Sequence, residues 1–157
     1  MIELDPTFSQ ASQPYKMSFT TGGLFLSESI ALAELYVTNK DWGKTLSQAL
    51  EIGITSLPKA ASNRRTLREI VNRLSTLNEA EILFLTEVAE RQEQQYILWL
   101  ASCRRYRFVR EFAVEVICDR YLSYQLDLPL QTFDILFDAK AEWDDSLALL
   151  SKSTRLK

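Results

Sequence analysis

With 157 residues, 46% of them hydrophobic and 11% aromatic, the chain has the size of one domain, or of two small helical subdomains sharing a core, and carries too much apolar side chain for disorder. Only four glycines and four prolines punctuate it, which favours helices joined by short turns and argues against a β-sandwich. Two cysteines, Cys103 and Cys118, and no histidine exclude a clustered zinc site, and the net charge of −3 excludes a uniformly basic polyanion binder.

Residues 1–19 hold two prolines and no sustained period, so they are expected to form an extended N-terminal lead-in. Tyr15, Met17 and Phe19 alternate with polar residues, which places part of that lead-in against the body. Met1 to Asp5 is acidic and lacks the apolar stretch of a signal peptide. Thr20, Thr21, Gly22 and Gly23 then supply a turn and a threonine cap for a helix over about 24–38, with Leu24, Ile30, Ala31, Leu35 and Tyr36 at helical spacing. The glycine pair is not a phosphate loop, because no Gly-Lys-Ser/Thr follows it. Asp41 caps a second helix that stops at Gly53. The stretch 54–59 reads as a linker, since Pro58 biases Leu57 away from helix.

A third helix is expected to begin between Ser62 and Thr66, with Thr66 and Glu69 as a capping box and Leu67, Ile70, Val71, Leu74 and Leu77 as its core stripe. Asn78 and Glu81 cap a fourth, with Leu77 and Ile82 at the staple positions. This helix should run unbroken to about Arg105 as the central element, burying Ile82, Leu85, Val88, Ala89, Tyr96, Trp99 and Cys103. A fifth covers about 109–124 with Phe112, Ala113, Val116, Ile117 and Tyr121 inward; a sixth covers about 130–143 with Phe133, Leu136 and Phe137 inward. Asp144, Asp145 and Ser146 open a short seventh, and the two acids are read as capping rather than catalytic. The expected fold is therefore all-α, a compact bundle of about six to seven helices over 20–157; the linker allows a division into subdomains 20–58 and 59–157.

Without histidine, nucleophile elbow or metal-ligand spacing, no catalytic residue, metal or cofactor is expected. The longest apolar run, around 96–103, is well short of the roughly 20 residues of a spanning helix, so no membrane association and a cytoplasmic location are expected. Charge is more informative. Residues 1–58 carry three basic and six acidic side chains (−3), residues 59–110 ten and six (+4), and residues 111–157 five and nine (−4). Nine of the ten central cations are arginine, whose planar fork suits phosphate better than lysine does. Arg64, Arg65 and Arg68 are placed by the expected helix start near its N-terminus, where the dipole disfavours cations and a polyanion would reverse the sign. Arg64, Arg65, Arg68 and Asn72 fall within an arc of roughly 100° beside the apolar stripe, while Lys59, Arg73, Arg104, Arg105 and Arg107 extend the band. Two bland readings compete: Arg104, Arg105 and Arg107 as cations at a helix C-terminus, and Arg64 to Arg68 as a solvated face bridged to Glu69 and neighbouring acids.

Several runs carry a family resemblance: YKMSFTTGGLFLSES over 15–29, Leu35 with Tyr36, Asp41 with Trp42, TLREIVNRL over 66–74, LWLASCRRY over 98–106, FAVEV over 112–116, and the closing STRLK over 153–157. Together they resemble the BrxA family of bacterial BREX (bacteriophage exclusion) phage-defence systems, across nearly the whole chain from Tyr15, although none is a chemical signature. The resemblance implies an all-α protein similar in part to the NusB antitermination factor, acting beside a DNA methyltransferase and other BREX proteins. It also implies nucleic-acid binding, foremost to double-stranded DNA, and family members that continue past residue 157. The expected function is thus a non-enzymatic DNA-binding accessory protein. The alternatives are a protein–protein adaptor that uses exposed aromatics or the acidic C-terminal third, and RNA binding by analogy with NusB.

Overall fold

The computed structural model describes residues 14–55 and 59–150, and every regular element among them is helical. Residues 1–13 of the lead-in, the linker centre at Leu57 and Pro58, and the closing 153–157 run lie outside the described residues. The remainder of the lead-in does lie against the body: Met17 is buried and Tyr15 and Phe19 pack beside it. A 3-10 turn over Ser18–Thr21 follows.

Helix α1, Leu26–Asn39, begins two residues later than expected and is not capped by threonine; its N-cap is Phe25, held in the left-handed region at φ 52°. The ring of Phe25 folds back over Gly22, where a Cβ would stand 2.3 Å from the ring tip, so glycine is needed there for that close approach. Helix α2, Trp42–Ile52, is capped by Asp41, which accepts from the Lys44 amide at 2.7 Å, and stops at Gly53 with φ 73°. Tyr36 and Trp42 stack at 3.9 Å and fix the turn between α1 and α2.

Helix α3, Ala60–Leu74, starts earlier than expected, with Lys59 at its N-cap. Thr66 and Glu69 are therefore interior residues, both buried, and no capping box forms between them. Its stripe of Leu67, Ile70, Val71 and Leu74, with Leu77 beyond, is buried as the period requires. Helix α4, Glu79–Leu83, has the expected box, Asn78 and Glu81 each accepting from the other's amide at 2.9 Å.

The expected long central helix is broken. A π-helical turn over Phe84–Val88 gives way to extended backbone at Ala89, and helix α5, Arg91–Arg105, starts afresh with Glu93 accepting from the Glu90 amide at 2.8 Å. The break resets the helical phase. Ile82 and Leu85 before it are buried, but Val88 and Tyr96 are largely exposed, and Leu98, Ala101 and Ser102 face the core instead.

Extended backbone at Tyr106 separates α5 from helix α6, Arg107–Phe112. It continues through a π-helical turn, Ala113–Cys118, into helix α7, Asp119–Leu122, with helical dihedrals at both junctions. Helix α8, Gln131–Ala141, and helix α9, Asp145–Ala148, complete the order; Asp144 caps α9 by accepting from the Ser146 and Leu147 amides. Phe133, Leu136 and Phe137 pack inward as expected, whereas Ile117 and Tyr121 are exposed.

Two apolar cores result. The first joins α1 to α5 around Leu32, Leu67, Ile70, Leu74, Leu85 and Leu98, so helices from both sides of residue 58 share it. The second is built on Phe108, with Met17, Leu136, Phe137 and Leu147 around it. Phe19 packs against the second core, stacked on Phe108 at 6.3 Å, and meets the buried Tyr106 edge-on at 5.5 Å. No helix among the described residues is long and apolar enough to cross a membrane.

Candidate nucleic-acid interface

Because α3 begins at Ala60, Arg64 lies in its second turn, and the Asn63 amide is already bonded to the Lys59 carbonyl at 3.0 Å. Arg64, Arg65 and Arg68 consequently do not crowd a helix N-terminus, and the dipole argument for a bound anion does not apply to them. A different electrostatic feature replaces it. All three are exposed, on the arc of α3 beside the buried stripe of Leu67, Ile70 and Leu74. None enters an ion pair or a side-chain hydrogen bond among the described residues.

The acid expected to neutralise them is turned away: Glu69 is buried, accepting from the Ser18 hydroxyl at 3.1 Å and from the Tyr106 hydroxyl. Arg64–Arg68 and Arg65–Arg68 are then like-charge neighbours at i,i+4 and i,i+3, each destabilising by about 0.2–0.5 kcal/mol. A polyanion would remove that cost. Asn72 shares the face, half-buried, and Lys59 stands exposed at the helix start.

Arg73 belongs elsewhere, and its expected role in the band is corrected. It is 5% exposed, donates from Nε to the Tyr106 hydroxyl at 3.0 Å and from Nη1 to the Gly23 carbonyl at 2.7 Å, and packs its guanidinium against the rings of Phe25 and Tyr106. Burial, reinforced by the hydrogen bond to Glu69, pushes the Tyr106 phenol up to about 12, so it remains a donor at neutral pH. The one hint in the sequence was the spacing of Glu69 and Arg73, four residues apart on one helix flank.

Arg104 and Arg107 are also committed to the fold. Arg104 forks onto Glu81 at 2.7 and 2.9 Å and reaches the Thr76 carbonyl at 3.3 Å, tying the end of α5 to the start of α4. Arg107 donates from Nε to Glu111 at 2.7 Å and lies 4.3 Å from the Tyr15 ring centroid. Arg105 is half-buried, with its Nε enclosed and unpartnered among the described residues. Of the expected band, the structure groups only Arg64, Arg65, Arg68 and Asn72 on one open face.

The Arg104 fork holds the Glu81 carboxyl below the ordinary glutamate range. A depressed folded pKa means that the pair's stabilisation is present above the unfolded value, about 4.3, and is lost as pH falls through the folded one. The stability gap between wild type and Glu81→Gln should be constant from pH 7 to 5 and close below about pH 4. Thermal unfolding across that range checks it, and a gap unchanged at pH 3 would contradict the assignment. Burial pushes the Cys103 thiol up to about 11, which leaves it protonated and a poor nucleophile.

Comparison with known proteins adds the following. The family model described as BrxA matches residues 13–157. A curated relative, the BREX protein BrxA of Escherichia coli O9:H4 (strain HS), is 26% identical over 136 residues, covering 87% of this chain and 63% of that protein. The chain thus spans less than two thirds of that relative's length. No solved structure matches, so the partial likeness to NusB gains no support from that comparison.

Proposed function

The chain belongs to the BrxA family, and from that premise we propose that it is a non-catalytic, nucleic-acid-binding component of a BREX phage-defence system, with duplex DNA as its preferred polymer and other BREX proteins as its partners. The observation that carries this reading is the outward-facing set of Arg64, Arg65 and Arg68 on α3, without an ion pair among the described residues. Arg64 and Arg68 are separated by about 6 Å of rise, which suits neighbouring phosphates of one strand. Guanidinium forks recognise phosphate geometry bidentately without reading bases, so binding is independent of sequence. The acidic flanks, −3 over 1–58 and −4 over 111–157, repel the polymer and keep the affinity modest.

An anisotropy titration of equal lengths of duplex DNA, single-stranded DNA and RNA at two salt concentrations tests the proposal. Duplex should bind most tightly, with a log–log salt slope of about −3 for three phosphate contacts. Absence of binding at low salt would refute nucleic-acid binding, and tighter binding of RNA than of duplex would refute the preference.

A further inference from the structure

We propose that the cleft between the 3-10 turn, the turn before α1, and helices α3, α5 and α6 binds a small monoanion, a carboxylate on an apolar planar body, with the Arg73 guanidinium as its anchor. Buried charges are ordinarily paired, and Arg73 is an exception. It is 5% exposed, yet it forms no ion pair among the described residues. Nε and Nη1 donate to neutral oxygens, the Tyr106 hydroxyl and the Gly23 carbonyl. Glu69 lies across the Tyr106 hydroxyl and accepts from it and from Ser18. Nη2 is buried with no hydrogen-bond partner among the described residues. The fold thus uses two of the three guanidinium nitrogens and leaves the third without an acceptor, a rare state for a buried donor.

Arg73 also lines a cleft of about 350 Å³. Small-molecule sites span about 300–1,000 Å³ and combine apolar walls with a few convergent polar groups. Phe19, Leu24, Trp99 and Val109 supply apolar walls here, and Arg73 is the one charged side chain among the lining residues. Gly23 lines the cleft without a side chain, and a Cβ there would meet nothing within 4 Å. Trp99 is 39% exposed, so one wall of the cleft reaches solvent.

The same features select the occupant. One cation without a counter-ion matches one negative charge, whereas a phosphate dianion would carry a second charge and more hydrated oxygens against apolar walls. A carboxylate accepts from a guanidinium in a charge-assisted hydrogen bond, stronger than the neutral bonds that Nε and Nη1 make. Phe19 and Trp99 favour a planar ring as the body, by offset or edge-on packing. A nucleic-acid backbone does not fit, because Arg73 is buried. The inference is independent of the arginine face on α3.

The test is an NMR titration of the full chain with two probes of one shape, indole-3-acetate and indole-3-acetamide. The pair removes the charge from the ligand and leaves Arg73, on which the fold depends, untouched. The carboxylate should bind at least about tenfold more tightly. Trp99→Ala, at a partly exposed position, should weaken it at least about fivefold, with circular dichroism confirming that the variant folds. Alanine at Arg64, Arg65 and Arg68 together should leave it unchanged. Equal affinity for the two probes, or no binding of the carboxylate at about 10 mM, overturns the proposal. Binding that survives Trp99→Ala in full, or that disappears with the three α3 arginines, overturns it as well, by placing the anion elsewhere.

Discussion

Simultaneous charge reversal at Arg64, Arg65 and Arg68 should reduce duplex affinity by roughly 100-fold at low salt and flatten the salt dependence almost completely. Single Arg→Ala changes should each reduce the slope by about 1 and weaken all sequences alike, because a phosphate contact carries no base information. The fold should tolerate all of them. The three side chains are exposed and make no ion pair or side-chain hydrogen bond among the described residues, and their removal relieves two like-charge contacts on α3. Thermal unfolding should accordingly show the reversal variant as stable as wild type or slightly more so. Arg104→Glu is the contrasting control: it sets an acid against Glu81, breaking a 2.7 Å fork, and should lower the melting temperature. If the triple reversal leaves duplex affinity unchanged, α3 is not the binding face.

How far the sequence foretold this depends on whether each feature is local. The caps at Asp41, Asn78 and Asp144 and the stop at Gly53 were legible because each involves residues within four positions. The stripe of α3 was legible because a 3.6-residue period needs no partner to be seen. The break at Ala89 was not: no glycine or proline marks it, and the π turn before it preserves helical composition while shifting the phase. That shift turned the expected face at Val88 and Tyr96 outward. The exposure of Ile117 and Tyr121 was equally hidden, since an apolar stripe does not say whether its partner is in the same chain.

The arginines show the same limit most clearly. Arg68 and Arg73 are the same residue type on one helix with opposite fates, and the difference is made by Tyr106 and Gly23, 33 and 50 positions away from Arg73. Counting cations per segment therefore overstated the band. The open face is smaller than the composition, and better defined.

The largest stability effect is expected at Arg73. In the folded chain Ser18 and Tyr106 both donate to the Glu69 carboxylate, while Arg73 donates to the Tyr106 oxygen and to Gly23. This relay fastens the lead-in, α3, the α5–α6 junction and the turn before α1 at one point between the two cores. Arg73→Met fits the volume but takes the donor from both the Tyr106 oxygen and the Gly23 carbonyl, at about 1–3 kcal/mol for each buried group left unpaired. Arg73→Lys should recover little, because a single ammonium cannot reach Tyr106 and Gly23 in the planar geometry of the fork. Tyr106→Phe should cost less, about 1–3 kcal/mol, since it removes one neutral hydroxyl and leaves both charges in place. A double-mutant cycle of Arg73→Met with Glu69→Gln in denaturant reads the coupling that the Tyr106 hydroxyl carries between the two side chains. Duplex affinity of the folded fraction should remain that of wild type in every one of these variants. A loss below about 1 kcal/mol for Arg73→Met, or a selective loss of DNA binding at full stability, would return Arg73 to the interface from which its burial removes it.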